Sequence, residues 1–275
     1  MDIISENMSH GGVQGVYKHV AKTTQCEMTF AVFMPPSKKT PSPVLWYLSG
    51  LTCNHSNVME KGGYRRLAAE LGIAIVCPDT SPRGESVPDE KDNWQFGLGA
   101  GFYLDATELP FAVNYNMSSY ILDELTELID DKFDVDMNRQ GIFGHSMGGH
   151  GALTMALKNP KRFRSCSAFA PISQPTTADW SMPAFQKYLG QKSDEWRKYD
   201  AVSLIEDGNF FPKLFVDQGE ADSFLEEGLR PWLLVEACEK AGIEIELRMH
   251  KNYDHSYFFI STFMEDHLRW HFSHL

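Results

Sequence analysis

The chain has 275 residues, 43% hydrophobic and 23% charged, a balance that excludes disorder as its main state and allows a sizeable buried core. Its 25 Lys and Arg stand against 37 Asp and Glu, a net charge of −12 at pH 7, whereas a nucleic-acid binder or a protein seated on an anionic membrane surface needs the opposite sign. No run of about 18 apolar residues is present to span a membrane, the start Met1-Asp2-Ile3-Ile4-Ser5-Glu6 lacks the basic-then-apolar pattern of a secretory signal, and five scattered cysteines without a Cys-x-x-Cys pair point to free thiols in the cytoplasm and to no metal site.

In chain order, alternation from Cys26 to Met34 predicts a half-buried strand within an antiparallel start spanning about 12–34. A turn is expected at Pro35-Pro36-Ser37-Lys38-Lys39. Val44 to Leu48 is a continuous apolar run, as in a buried strand. Tyr64 to Leu71 reads as a helix closed by Gly72, and Ile73 to Cys77 as the next strand. Residues 79–115 are irregular. An apolar stripe at Ile121, Leu125, Leu128, Ile129 and Phe133 predicts a helix over 118–133. A short strand at Gly141-Ile142-Phe143 and a helix from Met147 to Lys158 follow. Strands at Ser167–Ala170, Leu214–Val216 and Ile243–Leu247 and helices at 229–241 and 257–271 complete the chain, with a polar, aromatic-rich insertion at 173–210. Buried strands alternating with helices imply one α/β domain over 1–275. Its central sheet is mostly parallel with an antiparallel N-terminal edge, and helices cover both faces. Active groups in such sheets sit at the carboxyl ends of strands.

Gly144-His145-Ser146-Met147-Gly148 is a G-x-S-x-G motif between a strand and a helix, the context in which a sharp turn holds a serine out above the sheet. Serine needs a base held by an acid, in the order Ser, acid, His for this architecture. Among the histidines after Ser146, His150 is too close in sequence to fold back. His267 and His271 read as a solvated helix face, and His274 lies at the frayed end. His250 and His255 remain, and His255, in the loop after the last strand, is favoured. The acid should follow the strand at 214–216. Asp217 is still within the strand, Glu220 reads as solvent-facing, and Asp222 lies past the Gly219 turn where it can reach a histidine. The loop Ser49-Gly50-Leu51-Thr52-Cys53 can supply a second oxyanion amide beside that of Met147, with Leu51 as the candidate. Gly97-Leu98-Gly99-Ala100-Gly101 has neither the strand before it nor the helix after it that a phosphate cradle needs, and reads as close-packed loop backbone.

These blocks, together with Pro78-Asp79-Thr80-Ser81-Pro82-Arg83-Gly84, the extended Gly144-to-Ala152 segment, Ser167-to-Ile172 and Tyr253-Asp254-His255-Ser256-Tyr257, resemble the S-formylglutathione hydrolase (esterase D) family of α/β-hydrolases nearly end to end. The resemblance implies Ser146 as nucleophile, Asp222 as acid, His255 as base, and Leu51 and Met147 as amide donors. It also implies hydrolysis of a glutathione thioester in formaldehyde detoxification, no cofactor, and a homodimer. The sequence departs from the family at Asn54-His55-Ser56-Asn57, where relatives often carry an acidic residue after the cysteine. A formyl group suits a small acyl pocket beside Gly50, with Trp94 and Trp180 as candidate walls, although core packing would also explain either tryptophan. Cys53 lies beside the oxyanion loop, where alkylation is expected to inhibit; an inert buried thiol is the alternative. A broader short-chain carboxylesterase or an acyltransferase would use the same triad, and a non-catalytic binding module would lack one of its members.

Overall fold

The computed structural model describes residues 1–36, 40–90 and 93–275. Nine strands form one sheet: β1 (Asp2–Ser9), β2 (Gly12–Ala21), β3 (Cys26–Met34), β4 (Ser42–Leu48), β5 (Ala74–Pro78), β6 (Val135–His145), β7 (Phe163–Phe169), β8 (Lys213–Gly219) and β9 (Glu244–His250), in the spatial order β1-β2-β3-β5-β4-β6-β7-β8-β9. β1 to β3 are antiparallel neighbours and β3 is antiparallel to β5; every pairing from β5 to β9 is parallel. The expected mixed sheet with an antiparallel N-terminal edge is the observed one.

The apolar runs are what place the parallel strands at the centre. Val44, Leu45, Trp46, Tyr47 and Leu48 are all buried, as are Ala74 to Pro78, because helices flank the sheet. The helix Met147–Lys158 packs on β6 and β7, with Ala201–Glu206 beside it, and Pro231–Ala241 packs on β9. The helix Tyr257–Phe272 packs on β7, with Arg65–Leu71 and His55–Lys61 beside it. Gly72 closes Arg65–Leu71 at φ 77°, the left-handed cap expected of it. The insertion adds the helices Met182–Leu189 and Asp194–Arg197 and packs Phe185, Tyr188 and Trp196 into the same core.

The register lines up the carboxyl ends. Leu48 pairs with Gly144, His145 with Phe169, Phe169 with Asp217, and Gly219 with His250. The loops after β4, β6, β8 and β9 therefore rise from one edge of the sheet. β4 has β5 on one side and β6 on the other, so the strand order reverses there, which is where open α/β sheets make their crevice.

Several expectations are corrected. β6 is 11 residues long rather than a three-residue strand, because its first half is only partly buried and carries no apolar run. β1 was invisible because both of its faces are largely exposed. The helix over 118–133 is there, but its first half, Tyr120–Leu125, is wound as a π segment. Part of the expected turn at 35–39, residues 37–39, lies outside the described residues. His267 and His271 do not face solvent. Both are fully buried, with Ser167 Oγ 2.8 Å from His267 Nδ1 and 2.8 Å from His271 Nε2. Their spacing of one turn marks an inward helix stripe, which polar residue type had disguised.

Burial holds the His267 imidazole below its ordinary pKa against the pull of Asp217, and holds that of His271 well below, helped by His267. Both are neutral when folded and regain ordinary basicity when unfolded. The unfolded chain then binds the extra protons as pH falls below about 6.5, so stability falls with it. The midpoint of urea unfolding is expected to drop between about pH 7.5 and 5.5; a constant midpoint would contradict neutral burial.

Candidate active site

Ser146 sits between the end of β6 and the start of helix Met147–Lys158, at φ 57° and ψ −118°. A side chain in that region costs about 1–3 kcal/mol and persists only where neighbours hold it. They do: the Ser146 amide donates to the Phe169 carbonyl at 2.9 Å, and its own carbonyl accepts from His150 at 2.9 Å. The two motif glycines are required by close approach. A Cβ on Gly148 would stand 1.9 Å from the Leu48 carbonyl oxygen, and one on Gly144 2.4 Å from that of Gly148.

His255 lies in the loop after β9, with Nδ1 2.5 Å from Asp222 Oδ2. Asp222 also accepts from the Phe224 amide at 2.9 Å and from Gln218 Nε2 at 3.2 Å, bonds that fix the carboxylate against His255. The other acid candidates lie elsewhere. Glu220 is exposed. Asp217 is fully buried and bound by Arg248 at 2.6 and 2.7 Å, with His267 at 3.3 Å. Burial opposes its charge, but Arg248 and His267 outweigh it and hold the carboxyl far below its usual range. His250 points to this same carboxylate, its Nε2 3.1 Å from Asp217 Oδ1.

A cavity of about 260 Å³ gathers Gly50, Leu51, Thr52, Cys53, Trp94, His145, Ser146, Trp180, Phe224 and His255. It thus unites Ser146 and His255 with every pocket residue expected from the sequence. Among the described residues, the Leu51 and Met147 amides have no hydrogen-bond partner; Met147 is the first residue of its helix, where amides are unpaired by geometry. Gly50 is tight against the serine turn, and a Cβ there would come 3.2 Å from Ser146 Cβ. Trp94, 47% exposed, is no core residue: it stacks on Trp180 at 5.7 Å across the cavity wall. Trp180 in turn rests on Gly228, where any Cβ would fall 2.2 Å from its Nε1. Burial raises the Cys53 thiol pKa, with Lys61 and Arg83 opposing only in part. The raised pKa favours the protonated thiol near neutral pH, so slow alkylation at Cys53 is expected.

Sequence reasoning missed His145, Thr52 and Phe224. The His145 ring lies 4.4 Å from that of His255, and Phe224 borders it at 5.1 Å. Burial, with the neighbouring His255 ring in second place, keeps His145 well below its ordinary pKa, hence neutral. The position before the serine could have flagged His145; nothing in the sequence around Phe224 singles it out. Asn54, where the sequence departs from its family pattern, caps helix His55–Lys61 reciprocally with Asn57. A larger cavity of about 620 Å³ opens between segments 201–210 and 233–241 and contains none of the expected site residues. Among the described residues no group of three or more His, Cys, Asp or Glu is arranged to hold a metal ion.

The Esterase family model matches residues 21–270. An S-formylglutathione hydrolase of Paracoccus denitrificans is 48% identical over 271 residues, covering 98% of this chain and 96% of its own. That of Mus musculus is 47% identical over 276 residues, covering 99% and 98%. The solved structure of an S-formylglutathione hydrolase from Agrobacterium tumefaciens shares 63% identity and covers both chains completely, with a TM-score of 0.99. With a G-x-S-x-G turn at the carboxyl edge of a mostly parallel sheet and such relatives over its full length, the chain belongs to the Esterase family, among the S-formylglutathione hydrolases.

Proposed function

We propose that the protein hydrolyses S-formylglutathione to formate and glutathione, with Ser146 as nucleophile, His255 as base and Asp222 as its orienting acid. The observation that carries this is the 2.5 Å His255–Asp222 contact beside a strained serine, in a cavity that Ser146, His255 and Leu51 all line. His255 takes the Ser146 proton as the hydroxyl attacks the thioester carbonyl. The oxyanion is received by the Leu51 and Met147 amides. The thiolate leaves and takes the proton from His255, which restores the neutral base; with a thiol pKa near 8.5 it needs less protonic help than an amine. Water activated by His255 then releases formate from the formyl-serine, and Asp222 stabilises the imidazolium in both halves. None of these steps calls on a metal or cofactor.

The triad alone would equally serve a general short-chain carboxylesterase, so the walls must discriminate. Trp180, wedged on Gly228 and stacked with Trp94, supports a small acyl pocket. Trp180→Ala is expected to raise kcat/KM for p-nitrophenyl butyrate relative to acetate by about 10-fold, the scale of one or two methylenes in an apolar pocket; an unchanged ratio would remove Trp180 from the acyl wall. For the reaction itself, kcat/KM on S-formylglutathione is compared with that on p-nitrophenyl acetate. Strong preference for the thioester supports the reading, and parity favours the general esterase. The same reading takes the enzyme as a cytoplasmic homodimer. Its five free cysteines fit a reducing compartment, and among the described residues no helix is long and apolar enough to cross a membrane.

A further inference from the structure

The loop carrying Leu51 is a four-residue turn, closed by the Cys53 amide donating to the Gly50 carbonyl at 3.3 Å. Its third residue, Thr52, stands at φ 65°. A β-branched residue is strained there and stays only if its surroundings insist. Two neighbouring segments do so. The Thr52 amide donates to the Gly99 carbonyl at 2.9 Å, and Gly99 packs so closely that its Cβ would lie 3.0 Å from Thr52 Cα. On the other side, the Cys53 carbonyl accepts from Thr80 Oγ1 at 2.5 Å and from Arg83 Nη2 at 3.1 Å.

Arg83 reaches that carbonyl in a fixed pose. Its Nε donates to Asp79 Oδ2 at 2.9 Å and its Nη2 to Asp79 Oδ1 at 3.0 Å. Asp79 is itself buried and accepts from the Thr80 amide at 2.7 Å. The planar guanidinium thus spends one edge on the carboxylate and turns Nη2 to the turn as well, a geometry an ammonium cannot reproduce. The turn has no other ionic tether among the described residues.

We propose that Arg83, locked on Asp79, is a positioning residue for the reaction: it grips the Cys53 carbonyl, holds the strained Gly50–Cys53 turn, and so aims the Leu51 amide at the developing oxyanion. This rests on the assignment of Leu51 and Ser146 made above. Losing an oxyanion donor outright costs on the order of 10²–10³ in rate, and loosening one is expected to cost less.

The test compares Arg83→Ala and Arg83→Lys with the parent enzyme, using p-nitrophenyl acetate, which carries no charge for Arg83 to bind. Arg83→Ala is expected to lower kcat by roughly 10- to 100-fold with KM nearly unchanged. Low, non-denaturing guanidinium should restore part of that loss. Arg83→Lys keeps the charge beside Asp79 but loses the fork, and should fall between the two. Should Arg83→Ala not fold, the Arg83→Lys kcat alone decides. Parental kcat in Arg83→Lys and in a folded Arg83→Ala overturns the proposal, as does a loss seen in KM with kcat intact. Ser146→Ala is run alongside. If it remains active, the underlying site assignment has failed; if it is dead while the Arg83 variants are unaffected, only the positioning role has.

Discussion

Ser146→Ala is expected to lower kcat/KM by roughly 10⁵- to 10⁶-fold, the scale seen when a triad nucleophile is deleted. Alanine removes the hydroxyl and leaves the rest of the turn alone. The hydrogen bonds from Ser146 to Phe169 and from His150 to Ser146 involve backbone only, so the folded structure and the thermal midpoint should change little. The backbone strain also remains, because any Cβ at φ 57° carries it. Ser146→Gly should therefore be the more stable of the two inactive variants, by about 1 kcal/mol. Steady-state rates together with thermal unfolding of both variants check the pair. Residual turnover within tenfold of the parent would mean that another group attacks the carbonyl.

Asp222→Asn and Asp217→Asn should fail in opposite ways, although the residues lie on one strand end and the loop after it. Asp222→Asn keeps the shape but loses the charge that orients His255 and stabilises its protonated form. A fall of about 10⁴-fold in kcat is expected, with stability largely retained. Asp217→Asn leaves Arg248 and the buried His267 facing a neutral amide. Breaking a buried pair this way costs about 3–5 kcal/mol. Arg248 is 31% exposed and so recovers some solvation, which puts the loss near the lower end. Its kcat, measured on the folded fraction, should stay close to that of the parent. A common outcome for both variants, whether in rate or in stability, would contradict this division of roles.

How much was readable beforehand follows from where the information lies. The parallel strands were legible because burial on both faces forces runs such as Val44 to Leu48 and Ile73 to Cys77. Ser146 was legible because its turn imposes Gly144 and Gly148 by close approach. The proposed roles of Asp222 and His255 rest on strand order, since their loops follow β8 and β9, and for Asp222 over Asp217 on the family resemblance. β1 escaped because an exposed edge strand needs no apolar alternation. His267 and His271 were misplaced because polar residues on a helix read as solvated, and only the fold shows Ser167 waiting beneath them. Phe224 and the Arg83 contact with Cys53 lay beyond reach for a related reason. Both depend on segments distant in sequence meeting at the sheet edge, and neither leaves a spacing signature.

The most direct test of the account is to trap the covalent intermediate. The enzyme is mixed with a slowly deacylated short-chain ester, quenched in acid within the first turnover, digested, and mapped by mass spectrometry. The account predicts the acyl group on the peptide carrying Ser146, formed at the burst rate and absent from Ser146→Ala. An acyl group on Cys53 instead, or a burst with no acylated peptide, would contradict it.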